Sequence, residues 1–450
     1  TKERMLAMTD CNTQMSFEWY KKRNLMVDFD GGEITSDAGL LLIRQADETL
    51  GLVSGLAGCI RDNRDPRYVE HGILDLFRQR IYQIVAGYED CNDANLLRRD
   101  PALKAVCDRL LSEKDLASQP TLTRLENSVT VRDLYRIGKY FVESYVQRRK
   151  KNKPKRIILD IDSTDDPTHG NQQQTFFHGY YDQYMYHPLV IYDAESGDLI
   201  TTVLRPGNNH ASNGVVKILK RIIKRLKEAF PKARLIIRGD AGFAVPELYE
   251  YCEKEKVGYV LGLIRNKVLE RLSEDLKDEA NKSYEKMGKK QRLFTEAEYQ
   301  AGTWSRRRRV IIKAEWSSKG SNIRFVVTNL SYKPRNLYGF YIERGGTCEV
   351  RIDELKNGLM SDRLSCHRFL ANQFRLFLHA GAYCLVQRLR YGLENTEFCS
   401  MQIQQLRLRV LKIGAQVKQS ARRLLFHFSE GYPWRDIFIS AHQRLLVDSS

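Results

Sequence analysis

The spacing of hydrophobic residues along this chain changes near residue 155. Before that point, apolar side chains recur every three or four residues, as in residues 66–88 and 130–147. This spacing places them on one face of an α-helix, and Pro66 stands in the first turn, where proline is favoured. We therefore predict that residues 1–150 form a mostly helical region.

Beyond residue 155, short β-branched runs are separated by turn-forming residues. They predict strands at 156–164, 184–194, 198–207, 233–239 and 257–264, with amphipathic helices at 211–230 and 245–256. The resulting order, β-β-β-α-β-α-β, is that of an α/β, RNase H-like core with a mixed five-stranded sheet flanked by helices. Strand–helix–strand units of this kind carry their sites at the carboxyl ends of the strands.

The remaining segments are arranged around this core. A charged helical stretch and two strand-like runs, 308–316 and 322–330, interrupt it. We predict five regions: a helical N-terminal region (1–150), the first part of the core (151–264), a β-containing insertion (265–335), a core helix (336–360) and a helical C-terminal region (361–450).

Three carboxylates stand where strands end or a helix begins. Asp162 closes the first predicted strand, Asp240 follows the fourth, and Glu349 opens a helical stretch. Two aspartates and a distant glutamate in such places predict a site for two Mg²⁺ ions, or Mn²⁺ in their place, about 3.5–4 Å apart. Such a pair stabilises both the attacking and the leaving oxygen of a phosphoryl transfer.

A lone aspartate at a strand end is more often a turn-former or a helix cap than a metal ligand. The case for ligation depends on three acids placed on the first strand, the fourth strand and the last helix of one core. Asp160 shares a sheet face with Asp162 through the two-residue period of a strand, so it is a further possible ligand.

The charge balance favours a polyanionic partner. The chain has 73 Lys and Arg against 56 Asp and Glu, a formal net charge of +17, and phosphate neutralisation by such a surface releases counterions. Each basic run alone is usually a solvated face, but together with the acids these runs favour DNA. The candidate phosphate-binding residues are Arg306, Arg307, Arg308, Arg309, Lys220 and Lys224.

Composition also indicates the cellular compartment in which we expect the protein. Nine cysteines without a CxxC pair favour reduced thiols over a disulfide framework. No apolar stretch approaches the ~18 residues of a membrane span. The N-terminal residues lack the apolar region of a signal peptide. We therefore expect a cytoplasmic protein that has no membrane partner.

Several motifs resemble a known family. Tyr341, Arg344, Glu349 and Lys356 resemble the Tyr-Arg-Glu-Lys signature of bacterial insertion-sequence DDE transposases. The phrases DIDSTDDPTHG, FFHGYYDQYMYHPL, LRPGNNHAS and RGDAGF are most similar to the insertion-sequence thirteen-eighty family, over about residues 25–440. The resemblance implies an RNase H-like core, a divalent metal, nucleoid association, and cut-and-paste movement of a DNA element with terminal inverted repeats. It also implies that the three acids named above are catalytic and that Tyr341, Arg344 and Lys356 bind DNA phosphates.

The interval before Glu349 departs from the pattern of this family. Four residues separate Arg344 from Glu349, where the family usually has three. In a continuous α-helix the extra residue turns Arg344 about 100° away from Glu349. Gly345 and Gly346 are poor helix-interior residues, so we expect a kink or a restart there that restores the geometry.

Lys356 supports Glu349 as the third acid. It follows Glu349 by seven residues and returns to nearly the same helix face. A lysine there offers a point charge to a phosphate, while Arg344 can clamp a phosphate bidentately. The alternative acids are less well placed, because Glu343 stands beside Arg344 and Glu354 lies about 140° around the helix from Glu349.

Two loop segments supply further candidates to line the site. His178 and Asp182 are four residues apart in an aromatic segment, where a histidine is more often structural than catalytic. Asn208 and His210 follow a predicted strand, and they either contact phosphate or simply turn the chain.

The leading hypothesis is a DNA transposase that acts as a homodimer on double-stranded DNA, both terminal inverted repeats and target DNA. It cleaves by two-metal phosphoryl transfer and joins the 3′-OH ends to the target. The alternatives are a metal-dependent nuclease without strand transfer and a domesticated, non-cleaving DNA-binding protein, which need not keep three carboxylates. A glycoside hydrolase also uses paired acids, but a chain of charge +17 suits a neutral sugar poorly.

The basic surface predicts salt-sensitive DNA binding. Each phosphate contact on duplex DNA should add about −0.9 to the slope of log K against log salt concentration. Fluorescence anisotropy of a labelled duplex over a series of salt concentrations measures this slope. A flat salt response would contradict DNA as the partner.

Overall fold

The N-terminal region is mostly helical in the computed structural model, which describes residues 14–447. The predicted region also includes residues 1–13, which lie outside the described residues. Its longest helix begins at a capping box, because the Thr130 hydroxyl accepts from the Asp133 amide (3.3 Å) while the Thr130 amide donates to the Asp133 carboxylate (3.0 Å). The elements are β1 (Met15–Phe17), β2 (Leu25–Val27), β3 (Ile34–Thr35), α1 (Leu40–Leu50), α2 (Leu52–Ala57), α3 (Ile73–Ala86), α4 (Ala94–Leu97), α5 (Pro101–Val106), α6 (Gln119–Ser128) and α7 (Val131–Lys150).

The segment that follows alternates strands and helices, and one predicted strand is divided. Its elements are β4 (Arg156–Ser163), β5 (Asp166–Pro167), β6 (Phe176–His178), β7 (Gln183–Tyr186), β8 (Leu189–Asp193), β9 (Leu199–Val203), α8 (Val215–Ala229), β10 (Arg234–Gly239), α9 (Pro246–Lys254) and β11 (Gly258–Leu263). The prediction of one strand over 184–194 is wrong, because β7 pairs with β6 in a hairpin while β8 pairs with β4. Pro188 separates β7 from β8, since proline has no amide hydrogen for a sheet ladder.

The last part of the chain contains one interrupted helix and a small sheet. Its elements are α10 (Lys267–Leu272), α11 (Glu274–Met287), β12 (Gln291–Tyr299), β13 (Arg308–Ser317), β14 (Gly320–Thr328), α12 (Pro334–Arg344), α13 (Val350–Asp353), α14 (Phe369–Gly392), α15 (Ile403–Leu406), β15 (Ala415–Gln419), β16 (Leu424–Phe428) and α16 (Arg435–Val447). Helix α12, a π-helical turn, α13 and a second π-helical turn follow one another over residues 334–358, here called the Glu349 helix. The C-terminal region was expected to be helical, but β15 and β16 form an antiparallel sheet with β3.

Eight strands form the main sheet, in the order β12-β13-β14-β11-β10-β4-β8-β9. The central strands β4, β10 and β11 are parallel, and the other neighbours are antiparallel. The five strands predicted for the core are consecutive in this order. The predicted insertion contributes β12, β13 and β14, which extend the same sheet because β14 pairs with β11.

The two faces of β4 contact different helices. Leu159 and its alternate neighbours belong to a buried cluster with Leu219 of α8, whereas Ile158 packs in a cluster with Leu337 of the Glu349 helix. Asp160 and Asp162 share the face of Ile158 through the two-residue period of the strand. Both acids are therefore directed towards the Glu349 helix. No helix within residues 14–447 has the length and apolar character needed to cross a lipid bilayer.

A buried ion pair joins the central strands to this helix. Arg238 on β10 is paired in register with Asp160 on β4, and its guanidinium donates to both carboxylate oxygens, at 2.6 and 2.8 Å. Both side chains are 1% exposed. The same guanidinium donates to the carbonyl oxygen of Phe340 (2.6 Å) and to the hydroxyl of Thr347 (3.2 Å) in the Glu349 helix. One charged group thus fixes two strands and a helix together.

Removal of this guanidinium should destabilise the fold strongly. The substitution Arg238→Met leaves Asp160 buried without its cation, which is expected to lower the free energy of unfolding by about 3–5 kcal/mol. Urea denaturation followed by circular dichroism measures the loss. Arg225→Met is the control, because the pair of Arg225 with Glu143 is partly exposed and should contribute no more than about 1 kcal/mol. Equal losses in the two variants would contradict the role given to Arg238.

Candidate active site

Asp162 and Asp240 lie at the same edge of the main sheet. Asp162 is the next-to-last residue of β4, Asp240 directly follows β10, and these two strands are adjacent, parallel and paired in register. Asp162 Oδ1 accepts from the Ser163 amide (2.9 Å), and Asp240 Oδ1 accepts from the Gly242 amide (2.9 Å). Asp240 thereby caps the short 3-10 turn Ala241–Phe243. Backbone amides therefore hold both carboxylates where the strands end.

The Glu349 helix accommodates its extra residue in a π-helical turn. The turn covers Gly345–Glu349, and the backbone of Arg344 and Val350 on either side remains right-handed helical. Hydrogen bonds in a π-turn join residues five apart, so residues at that interval share a face. Arg344 and Glu349 stand at this interval. The expected kink or restart is thus replaced by a widened turn, which brings the two side chains together.

Arg344 connects two of the three predicted acids. Its Nη1 atom lies 2.5 Å from Asp162 Oδ2, and its Nη2 atom lies 3.6 Å from Glu349 Oε1. The side chain of Asp162 is 12% exposed, whereas that of Glu349 is 61% exposed. The guanidinium therefore compensates a buried carboxylate and attracts an exposed one.

The surroundings of Asp162 raise its pKa to about 6. Burial is the main cause, Arg344 acts in the opposite direction, and the charge of Asp240 adds to the rise. A pair of carboxylates in such a site provides the oxygen donors that Mg²⁺ and Mn²⁺ favour. Within residues 14–447, no three His, Cys, Asp or Glu side chains are grouped closely enough to hold one metal ion. The carboxylates of Asp162 and Asp240 are chemically suited to such a metal ion, and Arg344 stands between Asp162 and Glu349.

Tyr341 and Lys356 approach the strand ends from the same helix. Burial raises the pKa of Tyr341, and the charge of Asp240 contributes to the rise. Gly262 makes room for this ring, because a Cβ atom there would lie 2.6 Å from the Tyr341 hydroxyl oxygen. Lys356 Nζ lies 2.6 Å from Asp165 Oδ1. The structure thus directs both residues to the edge of the sheet that carries the acids.

The neighbouring acids of the site have other partners. The carboxylate of Asp160 is occupied by Arg238, as described above. Glu354 is 5% exposed and forms an ion pair with Arg390. Glu343 is 66% exposed and lies 3.6 Å from Arg238 Nη1. Among the three glutamates of the Glu349 helix, Glu349 is the one that contacts Arg344.

His178 and Asp182 lie in the hairpin formed by β6 and β7. The ring of His178 packs against Tyr181 and His187, with centroids 5.1 and 5.0 Å away. Asp182 has a φ of 53°, and its amide donates to the His178 carbonyl oxygen (2.9 Å). These contacts shape the hairpin.

Arg205 is a candidate that the sequence reasoning missed. It is 4% exposed, and burial lowers its pKa to about 10. Its guanidinium donates to the carbonyl oxygens of His187 (2.9 Å) and Ala211 (2.6 Å) and to the hydroxyl of Ser163 (2.7 Å). Because Ser163 follows Asp162, a buried positive charge lies next to the strand end that carries this acid. In the sequence, this position can be recognised because Arg205 stands near the end of a predicted strand and directly before the turn-forming Pro206 and Gly207.

Asn208 and His210 belong to the loop that follows Arg205. Asn208 is exposed, and Nδ1 of His210 lies 2.8 Å from the Ser212 hydroxyl oxygen. The carbonyl oxygen of Asn209, between them, is 2.8 Å from His187 Nδ1. These contacts form the loop, and Asn208 remains at the surface.

The predicted basic surface divides into structural and exposed residues. Arg308 is 3% exposed and shares Glu253 with Arg306, at 2.8 and 2.7 Å respectively. Arg309 forms an ion pair with Glu296. Arg308 and Arg309 therefore stabilise the strands around them, whereas Arg306 forms its ion pair through a side chain that is itself 61% exposed. The other predicted phosphate-binding residues are exposed: Arg307, Lys220 and Lys224.

Removal of the Asp162 charge should stabilise the fold at neutral pH. The folded pKa is about 6 and that of an unfolded aspartate about 3.9, so ionisation of this group costs stability as the pH rises through this range. Asp162→Asn is expected to raise the free energy of unfolding by up to about 3 kcal/mol above pH 6 and by little below pH 4. Urea denaturation in EDTA at several pH values measures the difference.

Asp165→Asn is the matched control for this substitution. Burial alone would raise the pKa of Asp165, but the ion pair with Lys356 brings it below its ordinary value. The control should therefore destabilise the protein at neutral pH. A lower free energy of unfolding in both variants would show that ionised Asp162 does not destabilise the fold.

Comparison with solved structures finds distant similarity to two transposase complexes. A piggyBac transposase synaptic complex with hairpin DNA has a TM-score of 0.39 and 13% identity, covering 84% of this chain and 80% of that chain. A Mos1 transposase paired-end complex with the left transposon end has a TM-score of 0.17 and 14% identity, covering 45% and 60%. No curated protein sequence matches this chain.

The family comparison covers nearly the whole chain. The model described as transposase DDE domain group 1 matches residues 17–448. This match includes both aspartates at the strand ends and the helix that carries Glu349. The chain therefore belongs to the family of transposase DDE domains, group 1.

Proposed function

We propose that this protein is a DNA transposase that binds the terminal inverted repeats of its element, cleaves the DNA there and joins the ends to target DNA. The observation that carries the proposal is the arrangement of three acids around one guanidinium. Arg344 contacts Asp162 and Glu349, and the charge of Asp240 also acts on it. Membership of the DDE transposase family supports the same function.

The proposal includes an RNase H-like core of the type found in bacterial insertion sequences of the thirteen-eighty family. The consecutive strands β11-β10-β4-β8-β9 and their parallel centre support this assignment. The Tyr-Arg-Glu-Lys signature is supported by one helix that directs Tyr341, Arg344, Glu349 and Lys356 to the same edge of the sheet. The helical N-terminal region is proposed to contact the inverted repeats.

Asp162, Asp240 and Glu349 are the residues that would hold two Mg²⁺ ions, or Mn²⁺. When bound, these metals would act as Lewis acids on the phosphoryl oxygens of the DNA. The raised pKa of Asp162 supports this role, because a divalent cation favours the ionised carboxylate that burial disfavours.

Arg344 and Lys356 are proposed to bind the DNA phosphates. Each forms an ion pair with a carboxylate of the site, Arg344 with Asp162 and Lys356 with Asp165. An incoming phosphate competes for these cations, since guanidinium and ammonium groups form charge-assisted hydrogen bonds with phosphate as well as with carboxylate. Exchange of partners would move Arg344 from between Asp162 and Glu349 and leave the acids free to act together.

The reaction proceeds in two displacements at phosphorus. Water attacks the phosphodiester at the end of the element, and the bond to the 3′ oxygen breaks to release a 3′-OH. That hydroxyl then attacks a phosphodiester of the target, forming a new bond and releasing a 3′-OH of the target strand. The proposed homodimer holds two ends, so that both reach one target site.

Removal of the negative charge of Glu349 tests this function. We expect Glu349→Gln to abolish cleavage and strand joining of an inverted-repeat duplex in Mg²⁺, because the amide cannot ligate a cation as an anion does. DNA affinity should stay within about two-fold of the wild type, since one exposed group of similar shape changes. Gel assays of end cleavage and strand joining, with a parallel binding assay, measure both effects.

Glu343→Gln is the control, because Glu343 is similarly exposed on the same helix but faces Arg238. It should retain activity, and EDTA should stop cleavage by both the wild type and this variant. An active Glu349→Gln variant, or cleavage that persists in excess EDTA, would refute the mechanism. Cleavage without joining would identify a nuclease instead of a transposase.

A further inference from the structure

The hairpin beside the acids exposes four aromatic side chains. Phe176 is 43% exposed, Phe177 50%, Tyr184 61% and Tyr180 85%. Single exposed apolar residues are ordinary on protein surfaces, but a cluster of large ones marks a binding surface. We call the segment 176–186 the aromatic hairpin.

The base of the aromatic hairpin is rigidly held. The Tyr186 hydroxyl donates to the Gln173 carbonyl oxygen (2.8 Å), and Gln172 Nε2 donates to the Leu364 carbonyl oxygen (2.5 Å). Gly207 packs directly beneath it, because a Cβ atom there would lie 2.0 Å from the Met185 carbonyl oxygen. A surface fixed in this way loses little conformational entropy when it binds.

Cross-strand pairing separates the side chains of the hairpin onto two faces. His178 pairs with Gln183 on the inner face, where Gln183 Nε2 donates to Asp165 (3.0 Å). Phe177 pairs with Tyr184 on the outer face, with ring centroids 5.7 Å apart in an edge-to-face arrangement. The inner face therefore attaches the hairpin to the site, and the outer face presents rings to solvent.

The hydrogen bond from Gln183 to Asp165 ties the hairpin to the loop after β4, and the charges of the acids act on its tip. Burial, together with the negative charges of Asp165, Asp162 and Asp240, raises the pKa of Tyr181 to about 12. The ring centroid of Tyr180 is 5.0 Å from that of Tyr181. A DNA strand whose phosphate lies at the acids would therefore meet the tip and then the outer face.

We propose that the exposed rings of the aromatic hairpin stack on unpaired DNA bases next to the cleaved phosphodiester. This inference rests on the proposed function and names a subsite for its substrate. Bases within a duplex are covered by their neighbours, so a protein ring stacks on a base only when that base leaves the helix. The segment has one formally charged residue, Asp182, and suits neutral bases better than phosphates.

The test compares two DNA probes in EDTA, where no cleavage is expected. One is a blunt duplex, and the other is the same duplex with an unpaired thymidine overhang that contains 2-aminopurine. The wild type should prefer the overhang and quench its fluorescence by stacking. Phe177→Ala and Tyr180→Ala should each reduce affinity for the overhang roughly 5- to 150-fold and restore fluorescence, with the blunt duplex unaffected.

Two further variants separate stacking from general damage. Tyr180→Phe keeps the ring and should keep the preference, and Tyr391→Ala removes a ring of 49% exposure from α14 and should have no effect. Equal losses for both probes in the alanine variants, or no quenching by the wild type, would overturn the inference while leaving the proposed function intact. Loss of a dimer in sedimentation, with the DNA preference unchanged, would assign the rings to contact with a second copy. A wild type that binds neither probe would overturn both proposals.

Discussion

The buried pair of Asp160 and Arg238 determines where everything else in the site stands. Each residue precedes a candidate acid by two positions along the chain, so the pair lies one step before Asp162 and Asp240 at this edge of the sheet. Two charges removed from water require close pairing and further hydrogen bonds, and Arg238 finds the latter on the Glu349 helix. The requirement to satisfy one guanidinium thus aligns two strands and fixes the height of the helix above them.

A second constraint is the balance of charge at the strand ends. Burial opposes the ionisation of Asp162, while Arg344 and the more distant Arg205 provide positive charge around it. In the proposed function, the carboxylates would meet a metal cation and the guanidinium groups would meet a DNA phosphate. Groups of this kind reduce the stability of the fold, and an enzyme retains them because substrate and metal relieve the cost.

The local part of this architecture was predictable from sequence, and the long-range part was not. Strand and helix periods located Asp162 and Asp240 correctly at the ends of two strands, which the structure shows to be neighbours. The same periods carry no information on which distant strands pair, so β12, β13 and β14 were assigned to an insertion although they extend the main sheet. The burial of Arg205 depends on a loop that folds back over it, which local sequence does not reveal. Pro188, in contrast, is a local signal, and it divides the predicted strand into β7 and β8.

The π-helical turn before Glu349 shows that the number of residues between two side chains in a sequence is a poor measure of how close they lie in space. The contact between Arg344 and Glu349 depends on the angle between their side chains about the helix axis. A chain with one more residue reaches a similar angle by widening a single turn. A sequence pattern that fixes the interval between the arginine and the glutamate would pass over this protein. Patterns that allow one insertion there, especially with paired glycines, should gather relatives that fixed spacing leaves unassigned.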